Sequence, residues 1–373
     1  MCKGVDKGKK VPNVPNLRFK KFNTEISRCE LKSIFNISVG GDINKSKVKH
    51  VKDDVNKYPI IANALINNGF YGYTDSFKQE NCVTVSGRGD IGIAVARPYK
   101  FYPIVRLLSL KPIYKSDLKY FESLLNSKKM LIESTGVPQL TSPQISKIKI
   151  SFCDYDEQLE IGNFLTKIDQ RIETQNKIIS KYESLIKIIR KNIILRNKWE
   201  WIKLKHFVDN EFIKLQRGNI IPKFSKDNEK FIYPVYSSSV HNDGLMGYYD
   251  SFMFDEKLIT WSIDGGGNFF LRNKHQYNVT NVCGILKIIK PEFDYAFLYE
   301  MLTYQHLQMT FNYQNKAHPS VIKTLYSLPI VPIKQQKKIA EMFSFFHEKT
   351  KLEEEILCKY KSQKEYLLTN MFI

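Results

Sequence analysis

The sequence predicts an α+β chain built twice: two globular β-rich domains separated by two long antiparallel coiled-coil helices, related by a pseudo-twofold duplication. Three observations predict it. The nonapeptide G-F-Y-G-Y-T-D-S-F at residues 69–77 returns as G-L-M-G-Y-Y-D-S-F at 244–252, identical at six of nine positions and 244 − 69 = 175 residues later. A Tyr-Pro pair precedes each copy at the same separation, Tyr58-Pro59 and Tyr233-Pro234. That interval is the size of a domain, far beyond the roughly 20–50 residues of a solenoid repeat. Each half also ends in a long segment whose apolar residues alternate at gaps of four and three, the signature of a helix that pairs with another helix.

Within each half the first part leans towards strands. Short runs rich in Val, Ile, Tyr and Phe are broken by Gly, Pro, Asn and Asp. Strands are expected at Cys82–Val85, Ile91–Ala96 and Leu258–Trp261. A 175-residue shift lays Val83–Gly92 on Leu258–Gly267, a strand followed by a glycine-rich turn in each half. A helical patch follows (Ser116–Ser134; Asp294–Asn312), then a short strand leading out (Ile148–Phe152; Leu328–Ile333). The Asp264–Gly267 run is read as a tight turn rather than an anion cradle.

The first long helix is expected over 156–194. Its seam is Ile161, Leu165, Ile168, Ile172, Gln175, Ile179, Tyr182, Ile186, Ile189 and Ile193, with Gly162 as its only glycine. At 1.5 Å per residue it spans roughly 58 Å. The second is expected from Gln336, with the seam Ile339, Phe343, Phe346, Thr350, Glu353, Leu357, Tyr360, Lys364, Leu367 and Met371. Of those ten positions Thr350, Glu353 and Lys364 are not apolar and Tyr360 carries a hydroxyl, and Leu352 and Ile356 are expected to restore part of the stripe. Gln175 and Glu353 occupy matching seam positions, where a polar residue costs stability and fixes register. The expected boundaries are 1–154 and 198–333 for the globular domains, 155–197 and 334–373 for the helices.

Composition narrows the function. Lys and Arg number 57 against 38 Asp and Glu, a net charge of +19, which suits a polyanion partner. The six cysteines form no C-x-x-C pair, so neither a zinc site nor a disulfide framework is expected. No apolar leader and no run of about 18 apolar residues is visible, which predicts a cytoplasmic chain. There is no G-x-x-x-x-G-K-[ST] loop, no [ND]-P-P-[YFW] run, no F-x-G-x-G, no H-E-x-x-H and no metal spacing among the seven histidines. No catalytic residue and no resident cofactor is expected. Two basic modules held apart by helices suit two reading heads on one split DNA site.

Four further stretches sharpen this. They are N-V-P-N-L-R-F (13–19), S-T-G-V-P-Q-L-T-S-P-Q-I-S-K-I-K-I (134–150), D-E-Q-L-E-I-G-N-F-L-T-K-I-D-Q-R-I (156–172) and L-P-I-V-P-I-K-Q-Q-K-K-I-A-E-M-F (328–343). In these runs, their order and their duplication, the whole chain resembles the specificity subunit of type I restriction–modification systems. It departs at S-F-C-D-Y-D (151–156), at Gln335 where the family usually has Glu, and at His347 where the first copy has Asp169. The resemblance implies two target recognition domains, each reading one half of a bipartite double-stranded DNA site. It implies helices that act as a spacer and dock two modification subunits, which bind S-adenosylmethionine and methylate adenine N6. Restriction subunits, using ATP and Mg, would add translocation and cleavage.

Base edges are read by Arg or Lys, Asn or Gln and small hydroxyls, and phosphates by Lys and Arg. In the first half these are expected at Lys45, Lys47, Lys52, Asn67, Asn68, Tyr71, Arg88, Gln139 and Thr141. In the second half they are expected at Arg217, Lys223, Ser238, His241, Asn242, Asn268, Lys316 and His318. Tyr73, Asp75, Ser76 and Phe77, which recur as Tyr248, Asp250, Ser251 and Phe252, are read as structural. Pairs that differ between the copies, Asn68/Asp243, Tyr71/Met246 and Arg88/Ile263, are read as the better readers. A basic coiled-coil scaffold that binds only proteins is the rival reading.

Overall fold

The computed structural model describes residues 14–64, 66–128, 138–221, 231–239, 241–264, 266–309 and 316–373. The chain divides into two compact units, Met1–Asn176 with Glu355–Ile373, and Lys177–Glu354. The dividing line runs through both long helices, so each unit joins a globular part to a stretch of each helix.

The first unit contains β1 (Ser27–Glu30), β2 (Phe35–Val39), β3 (Tyr58–Ile61), β4 (Phe70–Thr74), β5 (Cys82–Val85), β6 (Ala94–Arg97), β7 (Tyr102–Pro103), β8 (Leu108–Pro112), α1 (Leu118–Ser127), α2 (Ser142–Ser146) and β9 (Lys149–Phe152), then enters α3 (Tyr155–Arg196). Its strands form an antiparallel sheet in the order β2-β8-β5-β6, a smaller sheet β4-β3-β7 and the pair β1-β9. The second unit follows with β10 (Trp201–Lys203), α4 (Leu204–Asp209), β11 (Ile213–Arg217), β12 (Tyr233–Tyr236), β13 (Leu245–Tyr249), β14 (Phe254–Asp255), β15 (Leu258–Ser262), β16 (Phe269–Arg272), β17 (Gln276–Val279), β18 (Cys283–Ile288), α5 (Tyr295–His306), α6 (Pro319–Leu325), β19 (Ser327–Pro329) and α7 (Ile333–Met371). Its sheets, β11-β18-β15-β16, β13-β12-β17-β14 and β10-β19, repeat the plan of the first.

The repeated sequence is one hairpin. Tyr58-Pro59 lies opposite Thr74 and Tyr73, and Tyr233-Pro234 lies opposite Tyr249 and Tyr248. The ring of Phe77 rests 5.0 Å from that of Tyr58, and Phe252 rests 5.1 Å from Tyr233. The two motifs recur at one spacing because they are the two strands and the aromatic latch of a single hairpin.

The 175-residue alignment does not hold beyond it. Cys82 pairs with Arg97, and Leu258 pairs with Arg272. Val83 therefore matches Ile259, an offset of 259 − 83 = 176. One extra residue enters ahead of β15, where Phe254–Asp255 forms a short strand. The following turn is one residue shorter, because Gly92 N bonds Ser86 O while Gly267 N bonds Ser262 O. The leading-out strand is also shorter than the expected Leu328–Ile333: it ends at Pro329, and Ile333 already opens α7. Likewise β6 is Ala94–Arg97, not Ile91–Ala96. The expected helical ends at 129–134 and 310–312, and Gly265 of the second turn, lie outside the described residues.

Both long helices start in the same way. Gln158 is 3% exposed; its Oε1 accepts from Asp117 N (3.1 Å) and its Nε2 donates to Cys153 O (2.7 Å). Gln336 is 1% exposed; it accepts from Asp294 N (2.9 Å) and donates to Val331 O (2.8 Å). Asp117 and Asp294 in turn cap α1 and α5 by accepting from Tyr120 N (2.7 Å) and Phe297 N (3.0 Å). Thus one buried carboxamide locks the long helix to the N-terminus of the short one. Gly162 sits at this crossing: a Cβ there would stand 2.1 Å from Asp117 Oδ1.

Every expected seam position on both helices is buried or half-buried. Leu352, however, is 47% exposed, so it does not rescue the stripe; the polar residues themselves stay on the seam. In the first unit Asp169 Oδ1 meets Lys364 Nζ at 2.6 Å, and the Arg171 guanidinium lies 5.9 Å from the Tyr360 ring. In the second unit the Arg190 guanidinium lies 5.9 Å from the Phe343 ring, and Ile194 shares one core with Ile339 and Ala340. Rising numbers on α3 meet falling numbers on α7, so the helices pair antiparallel within each unit. The helix seams are continuous with the globular cores. Ile161, Leu165, Leu367 and Met371 join Phe121, Val83 and Leu110 in the first unit.

The departures in sequence have partners. Glu157 is buried and held by the Arg18 fork at 2.6 and 2.8 Å, which lifts Arg18 above its ordinary pKa. Gln335 carries no charge at the matching place and needs no such fork. Asp169 accepts from Lys119 (2.7 Å) on α1 as well as Lys364. At the matching junction the acid is instead Glu300 on α5, paired with Arg190 (2.6 Å) and His347 (2.7 Å).

Gln158→Ala or Gln336→Ala strands a buried N–H and a buried carbonyl and is expected to cost about 2–4 kcal/mol. This lowers the thermal midpoint by roughly 5–15 °C; unchanged melting would refute the lock. Burial pushes the Asp169 carboxyl up, but Lys119 and Lys364 outweigh it and hold its pKa below the ordinary 3.8. A depressed pKa stabilises the fold above the unfolded value and is lost as pH falls through the folded one. Asp169→Asn is therefore expected to be less stable than the parent at pH 7, with the gap closing below about pH 4. Denaturant titrations across pH 3–7 read this directly.

Candidate nucleic-acid interface

In the first unit the hairpin loop between β3 and β4 folds back on itself. Ala62 N donates to Gly69 O at 2.8 Å, and Asn67, Asn68 and Gly69 all take left-handed backbone (φ 50°, 52°, 78°). Asn and Gly tolerate that conformation best. At Gly69 a Cβ would also stand 2.3 Å from Ala62 O. The second unit repeats it: Ser237 N donates to Gly244 O (2.8 Å) over Asn242, Asp243 and Gly244 (φ 49°, 51°, 79°).

A buried arginine holds each loop. Arg97 Nη2 donates to Asn68 O at 2.6 Å and its Nε to Thr84 Oγ1 at 3.2 Å. Arg272 Nη2 donates to Asp243 O at 2.6 Å and its Nε to Thr260 Oγ1 at 3.0 Å. Both side chains are 5% exposed. Burial lowers the Arg272 pKa, and Tyr236 and Asp243 pull it back. The sequence reading missed both arginines, although their 175-residue spacing was the available signal.

Next to each loop lies the turn after β5 or β15 and the segment leading into α2 or α6. Asn63 Oδ1 accepts from Gly87 N (2.9 Å), and Leu140 N donates to Gly87 O (2.9 Å). Ser262 Oγ donates to Ser238 O (2.8 Å), and Ala317 N donates to Ile263 O (3.0 Å). Gly87 therefore matches Ile263, and Arg88 matches Asp264; the expected pairing of Arg88 with Ile263 is corrected. Asn63, Arg106 and Asp264 join the cluster without having been foreseen.

The structure sorts the expected residues. Asn68 and Arg88 line one cavity, Gln139 accepts from Arg88, and Asn67 stands beside Asn68 on the loop; Ser238, His241 and Asn242 occupy the matching loop of the second unit and Lys316 the segment into α6. Thr141 closes a capping box with Gln144 at the start of α2, and His318 is the N-cap of α6. Asn268 Oδ1 lies 3.1 Å from His306 Nε2, whose Nδ1 faces the Tyr326 hydroxyl (3.0 Å), so it is tied into the scaffold. Arg217 is exposed and donates to Asn281 O (2.8 Å) on the turn after β17. Lys45 and Lys47 stand exposed on a short turn, with Lys52 beyond; Lys49 N and Tyr73 N exchange backbone bonds, joining this basic segment to β4. Tyr71 on β4 is 50% exposed. Lys223 lies outside the described residues.

Burial pushes the Cys82 and Cys153 thiols up to about 12 and Cys283 up to about 11, far from a nucleophile's range. Among the described residues no three His, Cys, Asp or Glu side chains are placed to hold a metal, and no helix is long and apolar enough to cross a membrane.

Arg97→Ala or Arg272→Ala is expected to cost about 2–4 kcal/mol by stranding a loop carbonyl and a buried hydroxyl. It also opens the loop it holds. Faster proteolytic nicking at 62–69 or 237–244, confined to the altered unit, is the readout.

The model of the type I restriction modification DNA specificity domain matches residues 23–184 and again residues 197–359. A candidate type I specificity subunit of Mycoplasma pneumoniae, S.MpnORF507P, is 29% identical over 169 residues, which are 44% of this chain and 45% of that protein. The specificity subunit of the type I restriction enzyme MpnII, from the same organism, is 29% identical over 147 residues, 39% of this chain and 44% of that protein. These matches thus span about half of each relative. The crystal structure of a type I restriction–modification S subunit from M. genitalium superposes with a TM-score of 0.70 at 17% identity, covering 96% of this chain and 99% of that one. A chain from a structural study of type I restriction–modification complex assembly has a TM-score of 0.52 at 10% identity, with 92% and 96% covered. At these identities the structural likeness speaks for the fold.

Proposed function

Because the chain belongs to the family of type I restriction–modification DNA specificity proteins, we propose that it is the specificity subunit of such a complex and reads a bipartite double-stranded DNA site, one unit per half-site. The observation that carries this reading is the pair of equivalent loop clusters, alike in backbone frame and different in exposed side chains. A frame kept twice with its polar tips changed suits two different base sequences. The net charge of +19 supplies the sequence-independent hold on phosphates. The family match favours this over a scaffold that binds only proteins.

In this reading the long helices form a coiled-coil spacer and dock two modification subunits, with restriction subunits added in the full complex. The chain itself supplies no reacting group. S-adenosylmethionine belongs to the modification subunit, and ATP and Mg to the restriction subunit. The chain works in the cytoplasm, on the host's own and incoming DNA.

With its modification subunits bound, the chain is expected to protect two half-sites about one helical turn apart. DNA affinity should fall by about a thousandfold or more between 50 and 200 mM salt, as for six or more phosphate contacts. Footprinting that shows a single continuous site, or binding that ignores salt, would overturn the reading.

A further inference from the structure

Two side-chain pairs, each with one exposed member (Arg88, Lys316) and one half-buried member (Gln139, Asp264), occupy one equivalent place in the two units. The backbone bonds from Leu140 N to Gly87 O and from Ala317 N to Ile263 O tie the same turn to the same segment in each. Leu140 and Ala317 are buried at 4% and 0% exposure, so each anchor is fixed. One residue along the turn from the anchor, and one residue back along the segment, stand Arg88 with Gln139 and Asp264 with Lys316. Arg88 Nη2 and Nε donate to Gln139 Oε1 at 3.1 and 3.3 Å, and Arg106 Nη1 adds a donor at 3.4 Å. Lys316 Nζ lies 3.2 Å from Asp264 Oδ1. That oxygen is buried and meets Lys316 as an ion pair rather than an aligned hydrogen bond, so the other carboxylate oxygen, Oδ2, is the one the half-exposed side chain offers outward.

We propose that these two pairs are specificity-determining positions: Arg88 with Gln139 reads a guanine in one half-site, and Asp264 with Lys316 reads an amino-bearing base, adenine or cytosine, in the other. This rests on the reading of the chain as a DNA specificity subunit. The chemistry of each pair selects its base. Gln139 Oε1 is occupied by guanidinium donors, so the first pair presents N–H groups outward. The major-groove edge that takes two donors side by side is guanine, through N7 and O6. In the second pair the order is reversed, with the acid on the turn and the cation on the segment. A carboxylate is repelled by the acceptor edge of guanine and accepts from cytosine N4 or adenine N6. Lys316 beside it can donate to adenine N7 or to an acceptor on the neighbouring base. Pairs this near the surface contribute little to folding, so what they meet can set their identity.

The test is methylome sequencing of a host that expresses the chain with its modification subunit. Arg88→Ala with Gln139→Ala is expected to relax one guanine of one half-site by about 5- to 100-fold in discrimination and to leave the other half unchanged. Asp264→Ala with Lys316→Ala should relax only the other half, at an adenine or cytosine. Transplanting the first pair, Asp264→Arg with Lys316→Gln, should turn that position towards guanine. All three pair an exposed side chain with a half-buried one, and matched melting curves with the parent confirm folding. A parent motif that survives both double alanine variants, or that changes in both halves at once, overturns the pairing alone. A parent complex that methylates no bipartite sequence overturns the specificity-subunit reading and the pairing with it.

Discussion

The buried carboxamide of Gln158, and its counterpart Gln336, is the contact on which each unit depends. It joins the first turn of a 42- or 39-residue helix to the backbone of the helix cap before it. Without it the long helix would meet the globular part through apolar seam contacts, which are tolerant of rotation, and ion pairs such as Asp169–Lys119 and Arg190–Glu300. A two-ended amide has one geometry in which both ends are satisfied, so it fixes the direction in which the helix leaves. The side-chain-free backbone of Gly162 lets Asp117 come close enough to complete that corner.

Around this lock the charges are arranged differently in the two units. An acid on the long helix meets lysines in one; an acid on the short helix meets an arginine and a histidine in the other. The junction needs opposite charges facing one another and is indifferent to which element carries which. The loop clusters follow a similar rule at the surface. Arg97 and Arg272 satisfy the same carbonyl and hydroxyl and are held in place, while the exposed residues above them differ.

Much of this was legible in the sequence. The 4-3 spacing located both helices to within a few residues, because a helix-pairing seam is periodic and local. The repeated nonapeptide and Tyr-Pro pair foretold a shared frame, and the structure shows why they travel together. What was not legible depends on packing between segments far apart in the chain. Arg97 and Arg272 look like ordinary strand-end arginines until the left-handed loops they hold are seen. Asp264 was hidden because a constant 175-residue offset laid Ile263 on Arg88, and only strand pairing reveals the slip. Leu352 looked like a seam residue because hydropathy alone cannot say which side of a helix faces water.

The slip itself has a consequence. One residue is added ahead of β15 and one is removed from the turn that follows, so no strand is displaced. A one-residue shift inside a strand would turn its buried face outward; placed in the turn, it changes only how far a side chain reaches. Inheritance can therefore alter such a protein in two independent currencies, the identity of a tip residue and the length of the turn beneath it. Neither disturbs the other unit, so one arm of recognition can drift while its twin stands still.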